Sequence, residues 1–288
     1  MNTINTKSDQ AFKIVFGENP HLLISLLNNL LPLQHPIISI EYLTPEIAPD
    51  LKDGKNSIVD VRCTDNHGRH FIVEMQVGKQ AGFVKRVLLN TTKVYSRQLL
   101  KEQPFSMTQP VYSLNLLDHS LKVNNNEWYH HYAITNRIDQ NDSWEDIHII
   151  FIELPKWKKS NKFDLTNPKD RWLMYFTQPH AFDRLSKEER TKYNEVFEAM
   201  EALKAQNCSI EKLIAYENYI DGVNQYITTM EHERQEGREE GLKEGLKEGV
   251  NVTTQIIQAI KLGKETPEQI ANRLKVDLEL VSQLAKLL

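Results

Sequence analysis

Cysteine is almost absent. Cys63 and Cys208 are the only two in 288 residues, and neither belongs to a Cys-x-x-Cys pair. That excludes a disulfide framework and a zinc knuckle, and it suits a reducing compartment, so a cytoplasmic location is expected. No run of about 20 apolar residues occurs, which argues against a membrane-spanning helix. Residues Met1 to Gln10 are polar, and no secretion signal is expected in them. Charge of one sign is lacking too: 35 Lys and Arg against 39 Asp and Glu leave a net charge of −4. General attraction to nucleic acid is therefore missing, and such a partner has to be met by a local patch.

The apolar fraction, 40 %, is ordinary for a globular chain and supports a real core. The length fits one substantial domain with an accessory region. Ser8 is placed to cap a first helix carrying Phe12, Val15 and Phe16 and broken by Gly17. A leucine-striped helix follows from His21 to Leu31, stopped by Pro32. Strand patterns cover Ile37 to Leu43, Ser57 to Thr64, Arg69 to Val77 and Val111 to Leu117. Ile147 to Leu154 and, more weakly, His131 to Thr135 add two more, with a helix from Phe83 to Lys101 among them. This order describes a mixed α/β core with helices flanking a sheet. After Pro155 the pattern turns helical: Asn167 to Phe176, Ser186 to Ala205 with a Ser186–Glu189 capping box, and Ser209 to Met230. The last segment, Val252 to Leu288, reads as three short helices. Gly263 closes the first, Thr266-Pro267 opens the second, and Asp277 caps the third.

The chemistry concentrates in one hairpin. Asp60 lies in the apolar stretch Ile58-Val59-Asp60-Val61, and Glu74 and Gln76 lie in Phe71-Ile72-Val73-Glu74-Met75-Gln76. A turn containing Gly68 joins the two strands. Glu74 and Gln76 are two apart on a strand and share a face, which can also hold Asp60. A buried unpaired carboxylate costs several kcal/mol. Two carboxylates with a main-chain carbonyl such as that of Met75 offer Mg²⁺ the oxygen ligands it takes. Spacing alone leaves a second reading open, a half-exposed hairpin with charges on its wet face.

An Asp followed about fourteen residues later by Glu-x-Gln on the next strand, and then by a helix, resembles the PD-(D/E)XK nuclease superfamily. The wider pattern resembles its Rpn family of recombination-promoting nucleases, also labelled transposases. The matching segments are Asp9 to Gly17, Ile58 to Val61 and Phe71 to Gln76. Arg86 and Tyr95 on the following helix and the later Glu-Gly repeats complete the likeness, which covers roughly residues 1 to 250. It implies a restriction-endonuclease-like α/β fold with an all-helical C-terminal region. It also implies Mg²⁺-dependent DNA cleavage (Mn²⁺ or Ca²⁺ being alternatives), linked to recombination or mobile elements. Asp60 and Glu74 would be the metal ligands and, with Gln76, the catalytic set. Gln76 stands where most of the superfamily has Lys: it carries no charge and cannot act as a base near neutral pH. Slower chemistry is therefore expected, and the alternative is a catalytically weak or inactive DNA-binding or assembly protein on the same fold.

Other positions carry two readings each. Asp9 is either an additional acid reaching the site or a helix N-terminal acid favoured by the dipole. Arg86, Asn90, Lys93, Arg97 and Lys101 follow helical spacing, as a phosphate-contacting face or a solvated one, with Val84, Val87, Leu88 and Tyr95 on the other side. Lys156, Lys158, Lys159 and Lys162 around Trp157 read as a basic loop, either a surface loop or a phosphate and base-stacking contact. Glu236-Gly237, Glu240-Gly241, Glu244-Gly245 and Glu248-Gly249 repeat every four residues. Glycine inside a helix costs about 1 kcal/mol relative to Ala, so this stretch is a marginal connector or a weak self-association seam. The last two helices have a helix-turn-helix outline but too few basic groups to read DNA, and a packing module fits better. The expected organisation is a nuclease core over 1–165, a helical extension over 166–235, a Glu-Gly connector helix over 236–250 and a three-helix unit over 251–288. Expected partners are DNA and, through the C-terminal helices, a second copy of the chain, with no membrane.

Overall fold

The structure, a computed structural model, describes residues 5–48, 56–121, 125–160, 163–204 and 208–288. The chain forms two compact units, Met1–Tyr219 and Ile220–Leu288.

In the first unit, α1 (Asp9–Phe16) starts where the Ser8 hydroxyl accepts the Ala11 N–H at 3.1 Å. It ends at Gly17, where a Cβ would stand 2.6 Å from the Lys13 carbonyl oxygen. α2 (Pro20–Leu30) then turns Leu22, Leu23, Leu26 and Leu27 into the core. The strands are β1 (Ile40–Tyr42), β2 (Glu46–Ile47), β3 (Ser57–Ile58), β4 (Val61–Asp65), β5 (His70–Gln76), β6 (Val111–Leu117), β7 (Tyr129–Thr135) and β8 (Ser143–Glu153). Six of them form one mixed sheet in the order β1-β4-β5-β6-β8-β7, while β2 and β3 pair separately. β4 and β5 make the antiparallel hairpin; β5, β6 and β8 run parallel; β7 closes the edge antiparallel. The hairpin turn is fixed by Asp65, which accepts the His67 and Arg69 N–H groups and pairs with the Arg69 side chain. Gly68 takes φ 78° there, the left-handed region open to glycine.

Both faces of the sheet are covered, so β6 is buried at every residue, its polar Ser113 and Asn115 included. Phe71, Val73 and Met75 of β5 join a core with Phe12, Phe16, Trp172 and Phe176 from α1 and α5 (Pro168–Thr177). Ile72, between them, faces Val94 of α3 (Phe83–Ser96) instead. Glu74 and Gln76 share that alternate parity and so belong to the α3 side. This is the mixed, helix-flanked sheet with an all-helical C-terminal region that the resemblance implies.

Several elements depart from expectation. The strand expected over Ser57 to Thr64 breaks at Val59-Asp60, because β3 pairs with β2 while β4 pairs with β1. The helix expected to reach Lys101 ends at Ser96. The basic loop is a helix, α4 (Leu154–Ser160), whose Trp157 is 1 % exposed and packs in the core. A ring so buried cannot stack on a base, and that contact is withdrawn. The helix expected over Ser186 to Ala205 is interrupted at Tyr193, giving α6 (Lys187–Lys192) and α7 (Asn194–Ala202). Lys162 and Ala205 lie outside the described residues.

The Glu-Gly repeat is helical. α8 (Ile210–Leu262) contains it without a break, so the first of the three short C-terminal helices is the end of α8. In the second unit Ile256 and Ala259 of α8 pack with Ile270 and Ala271 of α9 (Pro267–Leu274) and Val281 of α10 (Leu278–Leu287). The Thr266 capping box and the Asp277 cap form as expected. No helix among the described residues is long and apolar enough to cross a membrane.

Candidate active site

Asp60 occupies the bend between β3 and β4. Val61 pairs with Val73, which sets Asp60 across the hairpin from Glu74. The Asp60 Oδ2 accepts the Met75 N–H at 2.7 Å, fixing the carboxylate between Glu74 and Gln76. Burial holds the Asp60 carboxyl well above the usual carboxylate range; the facing Asp9 and, more weakly, Glu74 push the same way, and the Met75 N–H opposes them. Asp9, in the first turn of α1, thus faces Asp60, while its own Oδ2 is paired with Lys13 at 2.8 Å.

Glu74 is 5 % exposed. Its Oε2 lies 3.1 Å from Arg86 Nη2, and its Oε1 is buried and makes no direct hydrogen bond, with the equally buried and unbonded Asn90 amide beside it. Burial raises its pKa, and the Arg86 guanidinium and the neighbouring Asn90 amide hold it down. The same Arg86 Nη2 donates to Gln76 Oε1 at 3.0 Å, and the guanidinium lies 5.2 Å over the Phe83 ring. Gln76 in turn directs its amide nitrogen to the Val77 and Gly78 carbonyls at 3.4 and 3.3 Å.

The face expected on α3 is rotated. Val87, Asn90, Thr91 and Val94 are buried, while Val84 and Leu88 are each 51 % exposed. Arg86 thus leaves the expected row of outward cations and enters the site. Lys93 is half-buried, and Arg97 lies past the helix end with its Nη1 donating to the Ala48 carbonyl at 2.7 Å. The structure brings together Asp9, Asp60, Glu74, Gln76 and Arg86; Lys93 and Arg97 stand apart, about two and three turns further along.

Three neighbours escaped the sequence reading. Lys7 Nζ is 2.8 Å from both carboxylate oxygens of Asp118, and the Asp118 N–H donates to the Gln76 carbonyl at 3.0 Å. His119 follows, its pKa lowered by burial and by Lys79. A signal was present: Asp118-His119 directly follows the apolar run Val111 to Leu117, and the carboxyl ends of parallel strands are where open α/β sheets gather ligands.

The donor chemistry fits a divalent cation. Asp60 and Glu74 are hard oxygen donors, and the unpartnered Glu74 Oε1 is a buried acceptor of the kind a cation would satisfy. Among the described residues no three or more His, Cys, Asp or Glu side chains gather into a full metal-binding group. Mg²⁺ suits such a sparse set, because it keeps several waters and takes one or two carboxylates together with substrate phosphate oxygens.

No curated protein and no solved structure matches the chain. One family model does, described as PD-(D/E)XK nuclease family transposase, over residues 6–221. That span takes in the whole sheet and every site residue named above, and on it the chain belongs to the PD-(D/E)XK nuclease family transposases.

Proposed function

We propose that the protein is a metal-dependent DNA endonuclease that hydrolyses phosphodiester bonds in recombination or mobile-element biology. Family membership supports a nuclease-like or transposase role. The observation that carries the finer reading is the buried, unpartnered oxygen of Glu74 across the hairpin from Asp60. Asp60 and Glu74 would hold Mg²⁺, or Mn²⁺ or Ca²⁺ in its place. When bound, such a cation polarises the phosphodiester and lowers the pKa of a water. Asp9 adds negative charge beside Asp60 and so favours a cation there. Gln76, its amide nitrogen turned to the Val77 and Gly78 carbonyls and its oxygen held by Arg86, orients the attacking water through that oxygen's remaining lone pair. Arg86 brings to Gln76 the positive charge that a Lys at position 76 would carry, and it meets charge developing on the phosphate. Lys93 and Arg97 contact DNA phosphates further along the duplex.

The test is nicking of supercoiled plasmid by the purified chain across Mg²⁺, Mn²⁺ and Ca²⁺. Cleavage that requires a divalent cation and is lost in Asp60→Ala and Glu74→Ala supports the proposal; undiminished cleavage in both variants overturns it.

A second reading, a catalytically inactive DNA-binding or assembly protein, draws on one observation: Arg86 already pairs with both Glu74 and Gln76. It expects DNA binding that persists in chelator and no turnover with any cation. Under either reading we infer self-association through the C-terminal helices, supported by Leu242, Leu246 and Val250, all more than 60 % exposed along α8. We also infer a cytoplasmic location, on the two unpaired cysteines.

A further inference from the structure

Directly past Gln76 the surface opens into a cleft of about 570 Å³. Sites for small ligands run from about 300 to 1,000 Å³. The cleft is built from the β5–α3 connection, the first turn of α3, the residues after β6 and one residue of β7. Its floor is Phe83, 4 % exposed, which meets Phe151 edge-on at 6.2 Å; Phe151 meets Tyr132 edge-on at 5.9 Å. Phe83 also carries the Arg86 guanidinium over its ring, and Arg86 reaches Glu74 and Gln76. Packed side chains therefore run without a gap from the carboxylates to the cleft. Phe83, Phe151, Val87 and Leu117 form one buried cluster, which makes that floor rigid.

The walls have two kinds of chemistry. Val84 and Tyr132 line the cleft and are each about half exposed. Lys79, Lys85 and His119 supply cationic or donor groups, and His119 Nδ1 is buried without a hydrogen-bond partner. No side chain caps the first turn of α3, whose N–H groups add to an anion's attraction. An apolar and aromatic surface beside donors for an anion matches one nucleotide: a base to lie on the ring and a phosphate to meet the cations. A base inside a duplex cannot enter such a cleft without leaving its stack, at a cost of a few kcal/mol, whereas an unpaired base enters more cheaply.

We propose that this cleft holds one unpaired deoxyribonucleotide of the DNA strand next to the scissile phosphate. Its base lies against Tyr132 and Val84, and its phosphate meets Lys85 and His119. The proposal rests on the nuclease reading and deepens it: the substrate is DNA that is single-stranded, frayed or flapped at the cut, in preference to uniform duplex.

The experiment measures fluorescence anisotropy of the full chain, in chelator, with three labelled probes of one sequence: a blunt duplex, the same duplex with a short unpaired tail, and the single strand. The tailed and single-stranded probes are expected to bind about tenfold more tightly than the blunt duplex, the scale of one base–aromatic stack. Tyr132→Ala and Lys85→Glu are each expected to remove that preference, with blunt-duplex affinity unchanged in Tyr132→Ala. Tyr132→Phe, which keeps the ring, is expected to retain it and so separates lost stacking from lost folding. No preference in the wild type, or a preference that survives both Tyr132→Ala and Lys85→Glu, overturns the proposal. A Tyr132-dependent preference in a protein that cuts no plasmid with any cation keeps the cleft and defeats the nuclease reading. Asp60-dependent cutting without the preference does the reverse.

Discussion

A carboxylate oxygen buried without a partner is expensive, and Glu74 carries one. Arg86 meets the other oxygen and reaches on to Gln76, and in the proposed mechanism one guanidinium would supply the charge that position 76 lacks. Arg86→Ala is therefore expected to lower the single-turnover rate of divalent-dependent cleavage by about 100-fold, the usual cost of removing one fixed transition-state donor. Arg86→Lys, which keeps the charge but not the fork, should fall between the two. An Arg86→Ala rate equal to wild type would remove Arg86 from the mechanism. The sequence made Asp60, Glu74 and Gln76 legible because charged and amide groups stand out in apolar strands of period two. It did not reveal Arg86's aim: the rotation of α3 is set by what packs on the sheet, and Asn90 is buried while Val84 and Leu88 are not. Nor could it join Lys7 to Asp118, which lie 111 residues apart and meet only when α1 docks on the sheet.

At the scale of elements, short-range signals were reliable and context-dependent ones were not. The Ser8, Ser186, Thr266 and Asp277 caps all formed, because a cap is decided within one turn. Trp157 was misplaced because its lysine neighbours suggested solvent, although Lys and Arg stems lie readily over a buried ring. The Glu-Gly repeat suits either a connector or a seam by its sequence, and α8 carries it as uninterrupted helix. A Cβ added at Gly241 or Gly245 would meet nothing within 4 Å. Gly241→Ala with Gly245→Ala is therefore expected to raise helicity and melting temperature by circular dichroism, at about 1 kcal/mol for each substitution. The seam is tested separately by Leu242→Glu with Leu246→Glu: light scattering should show a multimeric wild type and a monomeric variant. A wild type already monomeric at micromolar concentration would contradict self-association.

Across the whole molecule, pH acts on groups of opposite sign, His131 and Asp60 among them. His131 lies 2.9 Å from His148 at the β7–β8 edge, and burial first, then His148, lowers its pKa, with Glu145 opposing. The fold thus favours neutral His131. Its contribution to stability is full above the unfolded value of about 6.5 and is lost as pH falls through the folded one. Asp60 runs the other way: its raised pKa contributes stability below the unfolded value of about 3.9, lost as pH rises through the folded pKa. Melting temperature measured from pH 7 down to 5 should decline less steeply in His131→Asn than in wild type, and parallel curves would contradict the assignment. A cation at Asp60 and Glu74 would offset the second loss, which links stability to the proposal that these two carboxylates hold a divalent ion. Calorimetric titration with Mn²⁺ tests that claim most directly. Saturable binding is expected in the wild type, and at least about tenfold weaker binding in both Asp60→Asn and Glu74→Gln; equal affinity in all three proteins would rule out these two carboxylates as the cation's ligands.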